Sequence, residues 1–332
     1  MNAGTILPGL AGVLAAAAPV VFASIGETFT ERAGVINLSV NGTILLSAMG
    51  GFAAAVATNS ALVGFVAGAV IGALVALIVA FSSITLRQSQ VAVGFVLALL
   101  CRDLAYFLGN PYMGESGPRL SALAIPGLSR IPVLGTLFFK HDIMTYASFL
   151  LIAAAYIWIF RTRPGLVLRA VGERPAAAFA RGANVKRLRY LYTMLGGALV
   201  GIAGPMFSLS VKAGWKGSIS GLDGIGWIAL AITIFGAWDP LRVAFGAYLF
   251  ALLQWLGVVL QPSLPNIPSQ VLQVAPFPLM ILTLLLVNIG NAEWVARLLA
   301  MLPERSRKVV ARILRYLRVS PPAGLGVPFE RE

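Results

Sequence analysis

Two stretches, Leu62 to Leu86 and Met144 to Phe160, carry no charged residue. An α-helix rises about 1.5 Å per residue, so roughly 20 apolar residues cross a hydrocarbon core of about 30 Å. Backbone groups in lipid must be paired within their own segment, which makes such runs helical. Composition extends the point to the whole chain: 58% of its 332 residues are hydrophobic and 11% charged, where soluble domains are about a quarter charged. The fold class is an all-α polytopic membrane protein.

Nine apolar segments are expected, at 7–28, 37–58, 61–86, 90–108, 142–160, 190–210, 222–237, 241–260 and 271–289. Between the fourth and fifth, Pro111, Pro118, Pro126 and Pro132 break the chain too often for a spanning helix. Residues 1–290 form the transmembrane domain, and 291–332 a basic tail. In the tail, Val309, Val310, Ile313, Leu314 and Leu317 share one helical face, with Arg305, Lys308, Arg312 and Arg315 largely opposite. That pattern fits a helix lying on anionic lipid. Gly64, Gly68 and Gly72 recur every fourth residue, as do Gly197 and Gly201. Such stripes let two membrane helices approach closely.

The net charge of +13 could indicate nucleic acid, but its distribution reads as loop charge. With the 161–189 loop in the cytoplasm, all but Arg102, Arg119, Arg130, Lys140, Lys212 and Lys216 of the 25 Lys and Arg residues fall on that side. The positive-inside rule therefore places the loop and the C-terminal tail in the cytoplasm and the N-terminus outside. The opening MNAGTILPGL has no basic residue and does not read as a cleaved signal peptide.

Most catalytic classes lack their residues here. Cys101 and His141 are each alone, which excludes a disulfide framework and a Cys/His metal site. Gly224, Gly226 and Ala229 match a dinucleotide fingerprint, but inside an apolar segment with no βαβ unit. Asn37-Leu-Ser39 and Asn41-Gly-Thr43 match the glycosylation sequon at a cytoplasmic boundary. No phosphate-binding G-x-x-x-x-G-K-[ST] occurs, so ATP and Mg would be held by another chain. Glu27, Glu31 and Arg32 read as a local ion-pair cluster, and Asp239 before Pro240 as an N-cap.

The basic loop contains a short helix of its own. Pro175 suits its first position, Ala176, Ala177 and Ala178 favour it, and Gly182 suits its end. Glu173 lies near its N-terminus, where the helix dipole favours an acid. Two turns are marginal in water, so the helix packs on something, with Phe179 as the knob. It could rest on its own protein or on a partner.

The segment GERPAAAFARGANV resembles the coupling-helix region of ABC importer permeases in the branched-chain amino acid, ribose and nucleoside superfamily, approximately G-E-N-P-x-A-A-x-x-x-G-I. Gly172, Glu173, Pro175, Ala177, Ala178 and Gly182 match; Arg174 and Ala183 stand at the usual Asn and Ile. GETFTERAGVINLSVNG, IPGLSRIPVLGTLFF and the region from Ser220 to Gln254 resemble the nucleoside and simple-sugar branch, over about residues 15–290. Where that branch commonly reads N-L-G-V-E-G, Asn41 stands in place of the acid.

The resemblance implies a permease subunit of an ATP-driven importer for nucleosides or simple sugars, itself no enzyme and binding no cofactor. It implies an ABC ATPase that grips Glu173, Pro175, Ala176, Ala177, Ala178, Phe179 and Gly182. It further implies a second permease subunit, identical or homologous, an extracytoplasmic substrate-binding protein and a place in the inner membrane. Asn37, Asn41, Gln90, Gln254 and Gln273 are candidate pathway residues, because amides in membrane segments bond either a neighbouring helix or a passing polar solute. Asn37 and Asn41, four apart, are expected on one helix face. The alternative is an ion- or proton-coupled secondary transporter. That would want acids at mid-membrane depth, whereas Glu27, Asp103, Asp142, Asp223 and Asp239 all fall near expected segment ends.

Overall fold

A computed structural model describes residues 3–212, 214–263, 271, 278, 282 and 321–329. Apart from three isolated positions, the expected segment 271–289 lies outside the described residues, as do Gln273 and the amphipathic stretch of the tail. In chain order the helices are α1 (Ala3–Arg32), α2 (Val40–Thr58), α3 (Ala61–Ala80), α4 (Gln90–Gly109), α5 (Leu134–Phe138), α6 (Ile143–Arg161), α7 (Arg163–Glu173), α8 (Pro175–Ala180), α9 (Val185–Met206), α10 (Ile225–Phe235) and α11 (Pro240–Leu260). Two-residue strands β1 (Leu123–Ala124) and β2 (Lys140–His141) pair antiparallel, with Leu123 opposite His141. Between them lie short turns and α5, with Pro126 and Pro132 breaking the chain.

Seven helices among the described residues are long and apolar enough to cross a membrane. The expected segment 222–237 is not one of them. Its helix, α10, has 11 residues and so reaches only about 16 Å. Gly224, at φ +96°, starts it late. At its other end Ala237 and Trp238 both take positive φ, an uncommon conformation for side-chain-bearing residues. Arg32 Nε donates to the Trp238 carbonyl at 3.0 Å, and the Trp238 indole donates to Glu31. The cluster expected at Glu27, Glu31 and Arg32 is therefore joined through Trp238 and a backbone amide, not by ion pairs among its members.

Two glycine stripes set the tightest helix pair. A Cβ on Gly72 would run into the Gly197 carbonyl, and one on Gly68 would come within 2.6 Å of the Gly201 carbonyl. The α3 and α9 backbones thus touch directly, as the four-residue spacing predicts. Around them, Ile25, Phe29, Ile44, Leu45, Phe52, Val200 and Met206 make one buried cluster drawn from α1, α2 and α9. Asp142 and Asp239 cap helices: Asp142 accepts from Met144 N and Thr145 N, and Asp239 from Leu241 N and Arg242 N.

Candidate functional site

Segment 33–39 turns back into the membrane, and this creates a polar site at mid-depth. Asn37 N donates to Glu27 Oε1 at 3.3 Å, more than a helical turn above the end of α1. Leu38 packs on Gly94, and Gly42 on Ala98. Ala98 is eight residues past Gln90, the first residue of α4, and Gly42 is the third residue of α2, so α2 begins about 9 Å along the α4 span. There Asn41 meets the start of α10. Its Nδ2 donates to Asp223 Oδ1 at 2.7 Å, and its Oδ1 accepts from Gly224 N at 2.9 Å and Gly226 N at 3.2 Å. Glycine at 226 follows directly, since a Cβ would collide with the Asn41 backbone. The N-terminal ends of α2 and the short α10 thus meet inside the bundle, and helix N-termini within a span are what transporter folds use to present polar groups to a solute.

Other charges gather on the same side of α4. Tyr106 Oη donates to Asp223 Oδ2 at 3.5 Å. Arg102 Nε lies 2.9 Å from Asp103 Oδ1, with the Asp103 side chain 65% exposed. The α4 span runs on to Tyr112, so Asp103 lies more than two turns inside it. Asp223 is held deeper still by Asn41. Both carboxylates, expected near segment ends, are well inside the span. Towards the cytoplasm the same faces of α4 and α10 offer Phe95 and Trp227, with ring centroids 6.2 Å apart and both rings exposed. A charged pair facing lipid would be costly; such residues ordinarily face the interior of an assembly or a watery cavity.

Of the amides singled out in the sequence, Asn37, Asn41, Gln90 and Gln254 lie among the described residues, in four different segments. Asn37 sits in the turn before α2, where its Oδ1 accepts from Ser39 N and Ser39 Oγ. It therefore shares no helix face with Asn41, and the one-face argument fails. Gln90 Oε1 accepts from Ile36 N at 2.7 Å and pins the re-entrant segment. Gln254 is half-buried on α11. Sequence reasoning missed Tyr106, Arg102 and Phe95. Their i, i+7 and i+11 spacing on α4 was a legible signal.

The basic loop forms a second site. It holds two helices where one was expected. Thr162 caps the first, α7, accepting from Gly165 N at 3.1 Å. The second, α8, begins at Pro175 and stops where Gly182 takes φ +86°. Ala176, Ala177, Phe179 and Ala180 face outward, while Ala178 packs with Val171 and Val185. Glu173, expected to favour the α8 dipole, is the last residue of α7, and its Oε2 accepts from Ala323 N at 3.2 Å. Segment 321–329 lies across this loop. Gly324 N donates to Gly172 O at 2.7 Å and Gly326 N to Gly34 O at 3.1 Å.

Comparison with known proteins gives a family. The family described as branched-chain amino acid transport system / permease component matches residues 9–287. The nucleoside ABC transporter permease protein NupC of Lactococcus lactis is 34% identical over 295 residues, covering 83% of this chain and 91% of NupC. The guanosine ABC transporter permease protein NupQ of Bacillus subtilis is 32% identical over 284 residues, covering 81% of this chain and 88% of NupQ. A permease protein of Haloferax volcanii, TsgC13, provisionally named for glucose, is 36% identical over 262 residues, covering 75% of this chain and 79% of TsgC13.

Proposed function

The chain belongs to the branched-chain amino acid transport system permease family, and on that premise we propose that it imports a nucleoside along the α4–α10 face. It is a multi-pass membrane subunit of an ABC transporter, a transport component and not an enzyme. The family implies an ATPase partner and a second permease subunit. ATP and Mg bind on that ATPase, and an extracytoplasmic protein delivers the cargo. The loop around α8 and the tail face the cytoplasm, and the Pro175–Ala180 helix with its flanks Glu173 and Gly182 meets the ATPase.

One observation carries the route: Arg102, Asp103, Tyr106 and Asp223 converge at mid-membrane depth where α10 is broken. A carboxylate beside a phenol suits ribose hydroxyls. The Phe95–Trp227 pair below it, its rings tilted by 40°, offers exposed aromatic faces for a base. Two of the relatives are named for nucleosides.

The test is uptake of labelled guanosine and labelled glucose by the complete transporter in cells, with Tyr106→Phe, Asp103→Ala and Asp223→Asn variants. Guanosine uptake should fall about tenfold in each, the scale of one lost hydrogen bond to a charged partner, while ATPase association is retained. Guanosine uptake unchanged in all three, or transport of glucose alone, would overturn the reading.

A further inference from the structure

We propose that segment 321–329 is a strap belonging to the ATPase-docking surface, with Phe329 completing the face that Phe179 begins; this rests on reading α8 as the coupling helix.

The strap is built in, and Arg189 is the reason. That side chain is 2% exposed. Its Nη1 donates to Val327 O at 2.9 Å and its Nη2 to Gly324 O at 3.3 Å. No carboxylate pairs with it among the described residues. A buried guanidinium without a partner is strongly unfavourable, so the strap carbonyls are what allow Arg189 to occupy the root of α9. A Cβ on Gly34 would sit 2.9 Å from Nη2, and glycine there lets the guanidinium lie flat against the end of α1.

From that anchor the strap reaches α8. Gly324 N and Ala323 N bond Gly172 O and Glu173 Oε2, the two residues directly before α8 and its leading Arg174. Phe329 then packs on the small cluster of Val171, Ala178 and Val185 beneath α8. Its ring stands 5.7 Å from that of Phe179, tilted by 56°. Phe179 is 40% exposed and Val327 49%. A cleft of about 480 Å³ opens beside them, with Arg87 and Lys186 among the residues lining it. A six-residue helix has too few bonds of its own to hold an angle. The strap fixes that angle from behind, and its aromatic ring widens the apolar area offered to a partner. Among the described residues the cleft is lined by Arg87, Lys186 and Arg189 and by no acid, so it complements a negatively charged surface on the partner.

Two kinds of variant test this in the full transporter. Phe329→Ala should reduce ATPase co-purification about tenfold or more, as truncating a buried interface aromatic does, with unchanged permease in the membrane. Phe329→Tyr should restore it, and the Phe179→Ala, Phe329→Ala double variant should lose less than the two single losses combined. Independently of folding, Val327→Cys in a Cys101→Ser background should cross-link to the ATPase in the native complex. Normal or increased association of Phe329→Ala, together with no cross-link, would overturn the strap. If Phe179→Ala still weakens association in that case, the coupling reading of α8 survives; if Phe179→Ala is also silent, both fall.

Discussion

Asn41 joins α2 to the start of α10 through three hydrogen bonds. It is 3% exposed, and its amide closes two backbone N–H groups at the start of α10 while holding Asp223. Its role is to position the pathway carboxylate. Asn41→Ala would strand the buried Gly226 N–H at about 1–3 kcal/mol, and the half-buried Gly224 N–H at less. Thermal unfolding in detergent should show a clearly lowered midpoint, and uptake of every cargo should fall together. A change of cargo preference at unchanged stability would instead make Asn41 a direct solute contact. The sequence placed an amide here and even aligned it with a position that is commonly acidic. It could not show the partners, because Asp223 lies 182 residues away.

At the scale of the element, two helix pairs were differently legible. Periodic glycine marked α3 and α9 as close-packing faces, and the structure pairs those faces with each other, an approach that no larger side chain permits. Gly72→Leu should separate these helices and lower the yield of folded protein, overpacking of this kind costing about 1–3 kcal/mol or more; normal yield and uptake would refute the close contact. The short helix α8 was also readable, from Pro175 and Gly182 at its two ends. Its outward face has only alanine around Phe179, which lets a partner come near. Ala177→Arg would place a long cation on that face and should uncouple ATP hydrolysis from uptake while leaving the membrane level of the permease normal. Helix α7 escaped the sequence reading because Arg163 and Arg169 masked its buried Leu168 and Val171. The short α10 escaped for the opposite reason: its residues are apolar throughout, so hydropathy joined it to its flanks as one full span.

For the whole molecule, the strap ties the end of the chain to the same side as the basic loop, through Gly34, Gly172 and Arg189. If the loop is cytoplasmic, so is the strap. Ala183→Cys and Val327→Cys, each in a Cys101→Ser background, should both resist an impermeant thiol reagent in intact cells and react after permeabilisation. Labelling of either from outside would reverse the orientation. The sequence by itself determined the membrane class, seven of the spanning helices, the glycine contact and the small helix of the basic loop. Each of these depends on local composition or on spacing within one helix, where the physics acts over a few residues. Only the tertiary structure decided where the re-entrant segment ends, that α10 starts half-way, and that Asp223, Tyr106 and Asn41 meet. It also decided that Gly324 and Val327 satisfy Arg189. Those outcomes turn on hydrogen bonds between different elements, many of them joining residues more than a hundred positions apart, and a buried polar group takes whichever partner the packed backbone brings within reach.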